Sequence, residues 1–308
     1  MTTADQSTDS TAPGAPVPGG GTAPGGTATL AWRIVARIGF GAMQLEHADR
    51  DAALAVLRQA VGAGVNHLDT AQFYGGCNAL IRAALAPYPD DLVLASKVGA
   101  DRDADGRLVP AQRPEQLRAQ VEANLAALGV EQVGVVNLRR LDAAPGIIAE
   151  GDQLVDLDDQ LAELVALRDA GKIGGVGLSN VSADQLEHAV PAGIACVQNL
   201  YSVLDRTAEP VLDRCREHGI AWAPFFPLGG AFPGRPKVTD TPTVVAIAAE
   251  VGVTPAQVGL AWLLSHYDGM LLIPGTSNPA HLAANIAAGD VRLPAASIAA
   301  LDRLAPSN

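Results

Sequence analysis

The chain has 308 residues, of which 48% are hydrophobic and 18% are charged, and its formal net charge is −12. This composition supports a sizeable core. The acidic balance argues against binding to nucleic acid or to an anionic membrane surface. The three cysteines lack metal-type spacing and suit a reducing compartment. No apolar run is long enough to span a membrane, and the N-terminus lacks the pattern of a secretory signal. We expect a cytoplasmic protein without a metal site.

Residues 1–27 are rich in Gly, Pro, Ser, Thr and Ala, so we expect a disordered tail there and one domain over 28–308. From Leu30 onward, short apolar runs alternate with amphipathic stretches, after an expected small hairpin at 29–37. The apolar runs predict eight buried strands, at 38–43, 65–69, 92–98, 133–139, 173–179, 195–199, 220–224 and 270–275. Helical spacing and capping residues predict helices at 49–63, 113–128, 157–170, 182–190, 241–251 and from 255.

This alternation of strand and helix is typical of a parallel sheet. Eight units of this length favour a (β/α)₈ barrel over a doubly wound sheet of six or seven strands. No GxGxxG or GxxxxGK[ST] motif follows the first strand, which removes the usual nucleotide-binding argument for an open sheet. In a barrel of this kind the active site lies where the strands end.

Charged residues end two neighbouring predicted strands. Lys97 closes an apolar run, and a buried lysine needs a carboxylate partner, which Asp69 offers at the end of the preceding strand. This pair alone fits either a catalytic site or a buried ion pair that only specifies the fold.

Seven segments in order resemble the aldo-keto reductase family. They are GFGAM at 39–43, LDTAQFYG at 68–75, ASKV at 95–98, GLSN at 177–180, VQNLY at 197–201, PLG at 227–229 and IPGTSNPAHLAAN at 273–285. The resemblance spans most of residues 36–304. It implies a (β/α)₈ barrel that binds NADPH without a Rossmann motif and reduces aldehydes or ketones; NADH is not excluded. It also implies a monomer whose partner is a small-molecule carbonyl substrate.

The resemblance assigns catalytic roles to four residues. Tyr74 matches the general acid, Lys97 matches the ammonium that lowers the tyrosine pKa, and Asp69 matches the carboxylate partner of that lysine. Arg139 stands where the family usually has a histidine. An arginine there would anchor an anionic substrate group or stabilise the developing oxyanion, unless it turns outward to an acid such as Asp142.

The resemblance also implies a set of cofactor contacts. Ser179, Asn180 and Gln198 match residues that hold the nicotinamide carboxamide, and Phe225 matches the ring that stacks on nicotinamide. Phosphate is expected at Thr276 and Ser277, where a helix starts. His281 matches the position over the adenosine 2′-phosphate, Asn285 matches an adenine contact, and Gly275 replaces a lysine of the family. The remaining expected contacts are Gly41, Ala42, Met43, Phe226, Leu228, Gly229 and Ile273.

Aromatic residues are only 4% of the chain, but they are concentrated near 222–232. We expect a substrate pocket lined by Tyr201, Trp222, Phe225, Phe226 and Phe232. The loop over 230–240 is expected to fold over the cofactor, with Arg235 or Lys237 near a phosphate.

Three functions are compatible with this pattern. The first is an NADPH-dependent carbonyl reductase. The second is a barrel that binds NADPH with little turnover and acts in redox sensing or partner binding, as in potassium-channel β subunits, which resemble the family. The third is a phosphate-binding barrel lyase or isomerase, which would not bind nicotinamide.

Overall fold

A computed structural model describes residues 23–229 and 236–304 of the chain. Its strands, numbered in chain order, are β1 (Thr27–Leu30), β2 (Arg33–Ala36), β3 (Phe40–Gly41), β4 (His67–Asp69), β5 (Val93–Val98), β6 (Ala100–Arg102), β7 (Leu108–Pro110), β8 (Val133–Arg139), β9 (Ile173–Ser179), β10 (Ile194–Gln198) and β11 (Ala221–Trp222). Seven of them form a parallel sheet in the order β11-β10-β9-β8-β5-β4-β3.

The segment around residue 271 closes this sheet into a barrel. Met270 forms a parallel bridge with Trp222 of β11, and Leu272 forms one with Ile38 just before β3. The closing segment takes the place of the eighth predicted strand, although its pairing consists of isolated bridges. The structure therefore confirms the predicted barrel, with a shorter eighth element than the apolar run at 270–275 suggested.

Helices follow the barrel strands and form the outer layer. They are α1 (Arg50–Gly62), α2 (Cys77–Leu85), α3 (Pro114–Leu128), α4 (Leu157–Asp169), α5 (Ala183–Ala189), α6 (Glu209–His218), α7 (Pro242–Val251), α8 (Pro255–His266), α9 (Pro279–Ala287) and α10 (Ala295–Asp302). Their starts follow the predicted caps, since the side chain of Ser182 accepts a hydrogen bond from the backbone of Gln185, and Thr254 does the same for Gln257.

Besides a small cluster around Phe73 and Leu141, the apolar core has two layers. The larger lies between the strands and the helices, and contains Trp262, Leu138 and Leu164. The smaller fills the barrel interior, where Val135 of β8 packs with residues of β5, β10 and β11. Because side chains alternate along a strand, Val135, Asn137 and Arg139 share the inner face of β8.

The hairpin formed by β1 and β2 seals one end of the barrel. Leu30 and Val35 from this hairpin pack into the interior core. The prediction of a hairpin at 29–37 is thus confirmed. Of the tail predicted over 1–27, residues 1–22 lie outside the described residues, and Thr27 already belongs to β1.

No single helix within 23–229 or 236–304 is long and apolar enough to cross a membrane. The pair α7 and α8 passes that test only jointly, and the two helices are bent by 92° at the break between them.

Candidate active site

Asp69 and Lys97 meet at the open end of the barrel. β4 and β5 pair in parallel with Asp69 opposite Ala95, so the carboxylate lies beside the end of the strand that carries Lys97. The Lys97 ammonium pairs with Oδ1 of Asp69 and donates a hydrogen bond to the carbonyl of Thr70 at 3.0 Å. The side-chain amide of Gln198 donates to the other carboxylate oxygen at 2.7 Å. This pair is buried, and its polar contacts hold the ammonium in one place.

Tyr74 lies above this ion pair. The Nζ atom of Lys97 is 5.0 Å from the centroid of the Tyr74 ring. Phe73 packs edge-on against the same ring, with 5.3 Å between the two ring centroids. The predicted association of Asp69, Tyr74 and Lys97 is therefore present in the structure.

The net pKa of Tyr74 differs from the prediction. Burial raises the pKa of Tyr74, and the charge of Lys97, a hydrogen bond with Lys97 and the charge of Arg139 lower it without cancelling the rise. The expected effect of Lys97 thus has the right sign, but the expectation of a lowered tyrosine pKa was wrong. The reason is that, without bound ligand, burial destabilises the phenolate more than the charges of Lys97 and Arg139 stabilise it.

The ammonium itself is held in its charged form. Burial by itself lowers the pKa of Lys97, but the negative charge of Asp69 and the contacts with Tyr74 outweigh it, and the net pKa is raised. Lys97 therefore stays positive next to the phenol at neutral pH.

The two arginines at the end of β8 face opposite ways. Arg140 pairs with Asp142, with 2.6 Å between Nη2 and Oδ2, and also donates to the side chain of Gln160. Arg139 instead lines the cavity that contains Tyr74, and its guanidinium carbon is 5.5 Å from the centroid of the Phe225 ring. The alternative in which Arg139 turns outward to Asp142 is therefore not realised, because Arg140 occupies that position.

A cavity of about 760 Å³ opens at this end of the barrel. Tyr74, Lys97 and Arg139 lie in its wall, together with Phe73 and Leu108. Most of the expected cofactor contacts also line it. These are Gly41, Met43, Phe225, Phe226, Leu228, Gly229, Ile273, Gly275, Thr276, His281 and Asn285.

Two glycines permit a close approach of the chain at the edge of this cavity. A Cβ atom on Gly41 would lie 2.4 Å from the carbonyl oxygen of Ile273, and one on Gly275 would lie 2.4 Å from the carbonyl oxygen of Gly41. Any larger residue at either position would separate β3 from the closing segment. Gly275 thus has a packing role.

Two expected nicotinamide contacts carry polar atoms without a partner. The hydroxyl of Ser179 and Oε1 of Gln198 are buried and make no hydrogen bond within the described structure. Buried polar atoms are normally satisfied, so an unpaired hydroxyl and an unpaired amide oxygen at the end of neighbouring strands fit a ligand with both donors and acceptors. A carboxamide is such a ligand.

Five expected contacts are not among the residues that line the cavity, namely Ser179, Gln198, Asn180, Ala42 and Ser277. Asn180 is buried with a positive φ of 60°, and its side-chain amide donates to the carbonyls of Arg140 and Ala143. Ala42 is buried, and its backbone N–H donates to the carbonyl of Asp69. Ser277 is half-buried beside the start of α9. Their cofactor roles stay predictions.

The structure corrects part of the expected substrate pocket. Tyr201 and Trp222 do not line the cavity; both are fully buried between sheet and helices, where Tyr201 stacks on Trp262 at 6.0 Å between centroids. Trp222 lies on the outer face of β11, which places it in the helix-packed core. Phe232 and Arg235 lie outside the described residues. Lys237 is exposed and lies outside the cavity wall as the structure describes it.

One part of the cavity wall was missed by the sequence analysis. The hairpin of β6 and β7 follows β5, and Arg102 from this hairpin lines the cavity. Its guanidinium pairs with Glu46 at 2.6 Å and donates to the carbonyl of Phe73 at 2.9 Å. The turn residues Asp105 and Gly106 between two short alternating runs were the available signal.

Comparison with known proteins identifies this architecture. The model of the aldo/keto reductase family matches residues 37–306. The chain belongs to the aldo/keto reductase family. It is 41% identical to pyridoxine 4-dehydrogenase of Escherichia coli (strain K12) over 286 residues, which cover 90% of this chain and 97% of that protein.

Two further relatives agree with this assignment. An uncharacterized oxidoreductase of Schizosaccharomyces pombe is 33% identical over 90% of this chain and 89% of its own length. The crystal structure of an aldo-keto reductase from Klebsiella pneumoniae in complex with NADPH superposes with a TM-score of 0.76 at 25% identity, over 92% of this chain and 95% of that one.

These findings confirm the predicted family, fold and class of enzyme. The aldo/keto reductase described here is an NAD(P)H-dependent oxidoreductase, and the family's cofactor is the one that the sequence predicted. The alternative of a barrel with little turnover is not favoured by these relatives.

Proposed function

We propose that this aldo/keto reductase converts an aldehyde to an alcohol with Tyr74 as the proton donor, and that its substrate is pyridoxal or a close analogue. The observation that carries the proposal is the cluster of Tyr74, Lys97 and Asp69 on the wall of one cavity. A phenol beside a fixed ammonium, in an enclosed space large enough for a small molecule, supports acid catalysis at an oxygen atom.

Each side chain of the cluster has a separate task. The Tyr74 hydroxyl donates a proton to the substrate oxygen as the carbonyl becomes an alcohol. Lys97 offsets the negative charge that forms on the phenol as the proton leaves. Asp69 and the Thr70 carbonyl hold the ammonium in place, so no reorganisation is required during the reaction.

The raised pKa of Tyr74 suits the direction of reduction. A group acts as an acid only while it carries its proton, and burial keeps this phenol protonated at neutral pH. Lys97 counters the cost of losing that proton, because it stays charged when Tyr74 ionises.

The residues present fit NADPH as the cofactor. The unpaired Ser179 hydroxyl and Gln198 oxygen would hold its carboxamide, and Phe225 offers an aromatic face. Thr276 and the start of α9 would receive a phosphate, with His281 nearby in the cavity wall. When bound, NADPH supplies the hydride that reduces the carbonyl carbon.

The substrate class rests on the E. coli relative and on the cavity wall. That relative is named pyridoxine 4-dehydrogenase, and oxidation of the 4-hydroxymethyl group of pyridoxine gives the aldehyde pyridoxal. The cavity offers aromatic and apolar surface for a flat ring at Phe73, Phe225 and Leu108, next to the polar cluster.

The test is steady-state kinetics with NADPH and a panel of carbonyl compounds that includes pyridoxal, followed by the loss of absorbance of the reduced nicotinamide. We expect pyridoxal to give the highest kcat/KM. Tyr74→Phe should lower kcat by roughly 10²–10⁴-fold, because it removes the proton donor and leaves the ring in place.

Tyr88→Phe is the matched control. Tyr88 lies in a separate cleft beside the β1–β2 hairpin, and its hydroxyl donates to the carbonyl of Leu128 at 2.7 Å. Its removal should change stability and leave kcat unaltered. Equal rates for wild type and Tyr74→Phe would refute the role of Tyr74, and good activity on other aldehydes with none on pyridoxal would refute the substrate.

A further inference from the structure

Arg139 is the cation of the cavity wall that lacks an acidic partner. Lys97 pairs with Asp69, and Arg102 pairs with Glu46. No carboxylate in the described part of the chain lies within 4.0 Å of Arg139. Its guanidinium donates only to the carbonyl of Pro145, at 3.2 Å, and lies over the ring of Phe225.

This arrangement is costly in the free protein. Arg139 is half-buried, and burial lowers its pKa from the ordinary value while the proximity of Tyr74 opposes that change. A backbone carbonyl and an aromatic face return only part of the hydration that a guanidinium loses. The other N–H groups of the Arg139 guanidinium are therefore suited to an acceptor that the substrate supplies.

Contacts with the backbone and with the side chain hold Arg139 in place. The side-chain amide of Gln112 donates to the Arg139 carbonyl at 2.8 Å and also to the carbonyl of Gly99. On the other side the loop after β8 lies against the guanidinium, since a Cβ atom on Gly146 would be 3.2 Å from its Nη2. The cation is therefore held in the cavity wall that also contains Tyr74.

We propose that Arg139 determines specificity by binding an anionic oxygen next to the carbonyl group of the substrate. This inference rests on the function proposed above and adds the chemical class that the site selects. An aryl aldehyde with an ionised ring hydroxyl beside the aldehyde, as in pyridoxal, belongs to this class, and so does a 2-oxo acid. The planar fork of an arginine binds such an oxygen while Tyr74 serves the carbonyl oxygen.

The experiment compares substrates that differ by methylation of the anionic oxygen, which removes its charge. One pair is pyridoxal and 3-O-methylpyridoxal, and the other is phenylglyoxylate and its methyl ester. Arg139→Met should lower kcat/KM for the anionic member of a pair by roughly 10–100-fold, as expected for a hydrogen bond between charged groups, and for the neutral member by less than about 3-fold. Arg139→Lys should fall between wild type and Arg139→Met.

Both members of a pair are measured on one preparation, so the ratio of their kcat/KM values does not depend on the folded fraction of a variant. Arg33→Met, at the hairpin end of the barrel, is the matched control and should leave both ratios unchanged. The pair for which Arg139→Met lowers the ratio of kcat/KM values, anionic over neutral, identifies which of the two anions the site accepts.

Two results would overturn the inference. If the wild-type enzyme reduces the neutral compounds in a Tyr74-dependent manner and Arg139→Met leaves the ratio of each pair unchanged, the inference fails and the proposed function stands. A loss equal for charged and neutral compounds is such a result, and it would place Arg139 at the carbonyl oxygen. If the wild type reduces none of the compounds, the proposed function fails and the inference fails with it.

Discussion

The two ends of the barrel interior differ in what their side chains leave unsatisfied. At the hairpin end, Leu30 and Val35 fill the interior with apolar surface. At the open end, the strands of the barrel carry Asp69, Lys97 and Arg139, and Ser179 has a buried hydroxyl without a partner. The hairpin end is filled mainly by apolar side chains, whereas the open end concentrates charged and polar groups. We infer that the hairpin end determines stability and the open end determines chemistry.

Replacing Lys97 should have the largest effect on activity. Lys97→Met is expected to lower kcat by about 10³-fold, because the phenolate of Tyr74 loses its counter-charge. It also leaves Asp69 buried without a cation, which should destabilise the protein by roughly 3–5 kcal/mol. The measurements are kcat and urea unfolding.

A second variant separates these two effects. Lys97→Met combined with Asp69→Leu removes the unpaired carboxylate, so stability should recover while kcat stays low. Lys172→Met, which removes an exposed lysine, is the control. If the double variant regained activity along with stability, Lys97 would have only a structural role.

The hairpin end should respond in the opposite way. Leu30→Ala is expected to cost roughly 2–5 kcal/mol in the free energy of unfolding, because the barrel interior cannot fill the space that the side chain leaves. Activity per folded molecule should be unchanged. Urea unfolding with parallel kinetics tests this, and a large fall in kcat below the unfolding transition would contradict the separation of the two ends.

Much of this layout could be predicted from the sequence, because buried parallel strands leave continuous apolar runs. The predicted strands at 133–139 and 173–179 match β8 and β9 to the residue. The hairpin of β6 and β7 was missed because its strands have only three residues each, too few to stand out as apolar runs. The run at 270–275 was correctly placed, but its pairing depends on the twist of the whole barrel.

Site residues could be predicted individually, but their surroundings could not. The pairing of Lys97 with Asp69 follows from the need of a buried lysine for a carboxylate. Whether the pKa of Tyr74 is raised or lowered depends on how completely the folded chain excludes water from the phenol. No local sequence pattern contains that information. Which of Arg139 and Arg140 faces inward likewise depends on strand register, because Asp142 is close to both in sequence.

His67 allows a test of how the stability of the barrel depends on pH. It lies two residues before Asp69 on β4 and is fully buried, and a contact with the backbone of Ala36 only partly opposes the effect of burial on its pKa. Burial lowers its pKa to about 4. As pH falls below 6.5, His67 becomes protonated in the unfolded chain but stays neutral in the folded chain. The folded state therefore loses stability on acidification.

The expected loss between pH 6.5 and about 4 is about 3 kcal/mol, complete once both states are protonated. His67→Leu should remove this component, so the difference in unfolding free energy between variant and wild type should grow as pH falls. A constant difference across that range would show that His67 ionises equally in both states.

Ser179 should show the smallest effect and the most specific one. Its buried hydroxyl has no partner in the described structure, so Ser179→Ala should stabilise the free protein by about 1 kcal/mol. The same change should weaken NADPH binding by roughly 10-fold, since the hydroxyl no longer meets the carboxamide.

Ser96→Ala is a matched control, because the Ser96 hydroxyl is buried at the same end but already donates to Asn124 at 2.6 Å. That variant should lose stability and keep its affinity for NADPH. Unfolding curves should therefore show stability changes of opposite sign for the two variants, and fluorescence titration should show weaker NADPH binding for Ser179→Ala alone. Unchanged NADPH affinity in Ser179→Ala would mean that its hydroxyl is not a ligand contact.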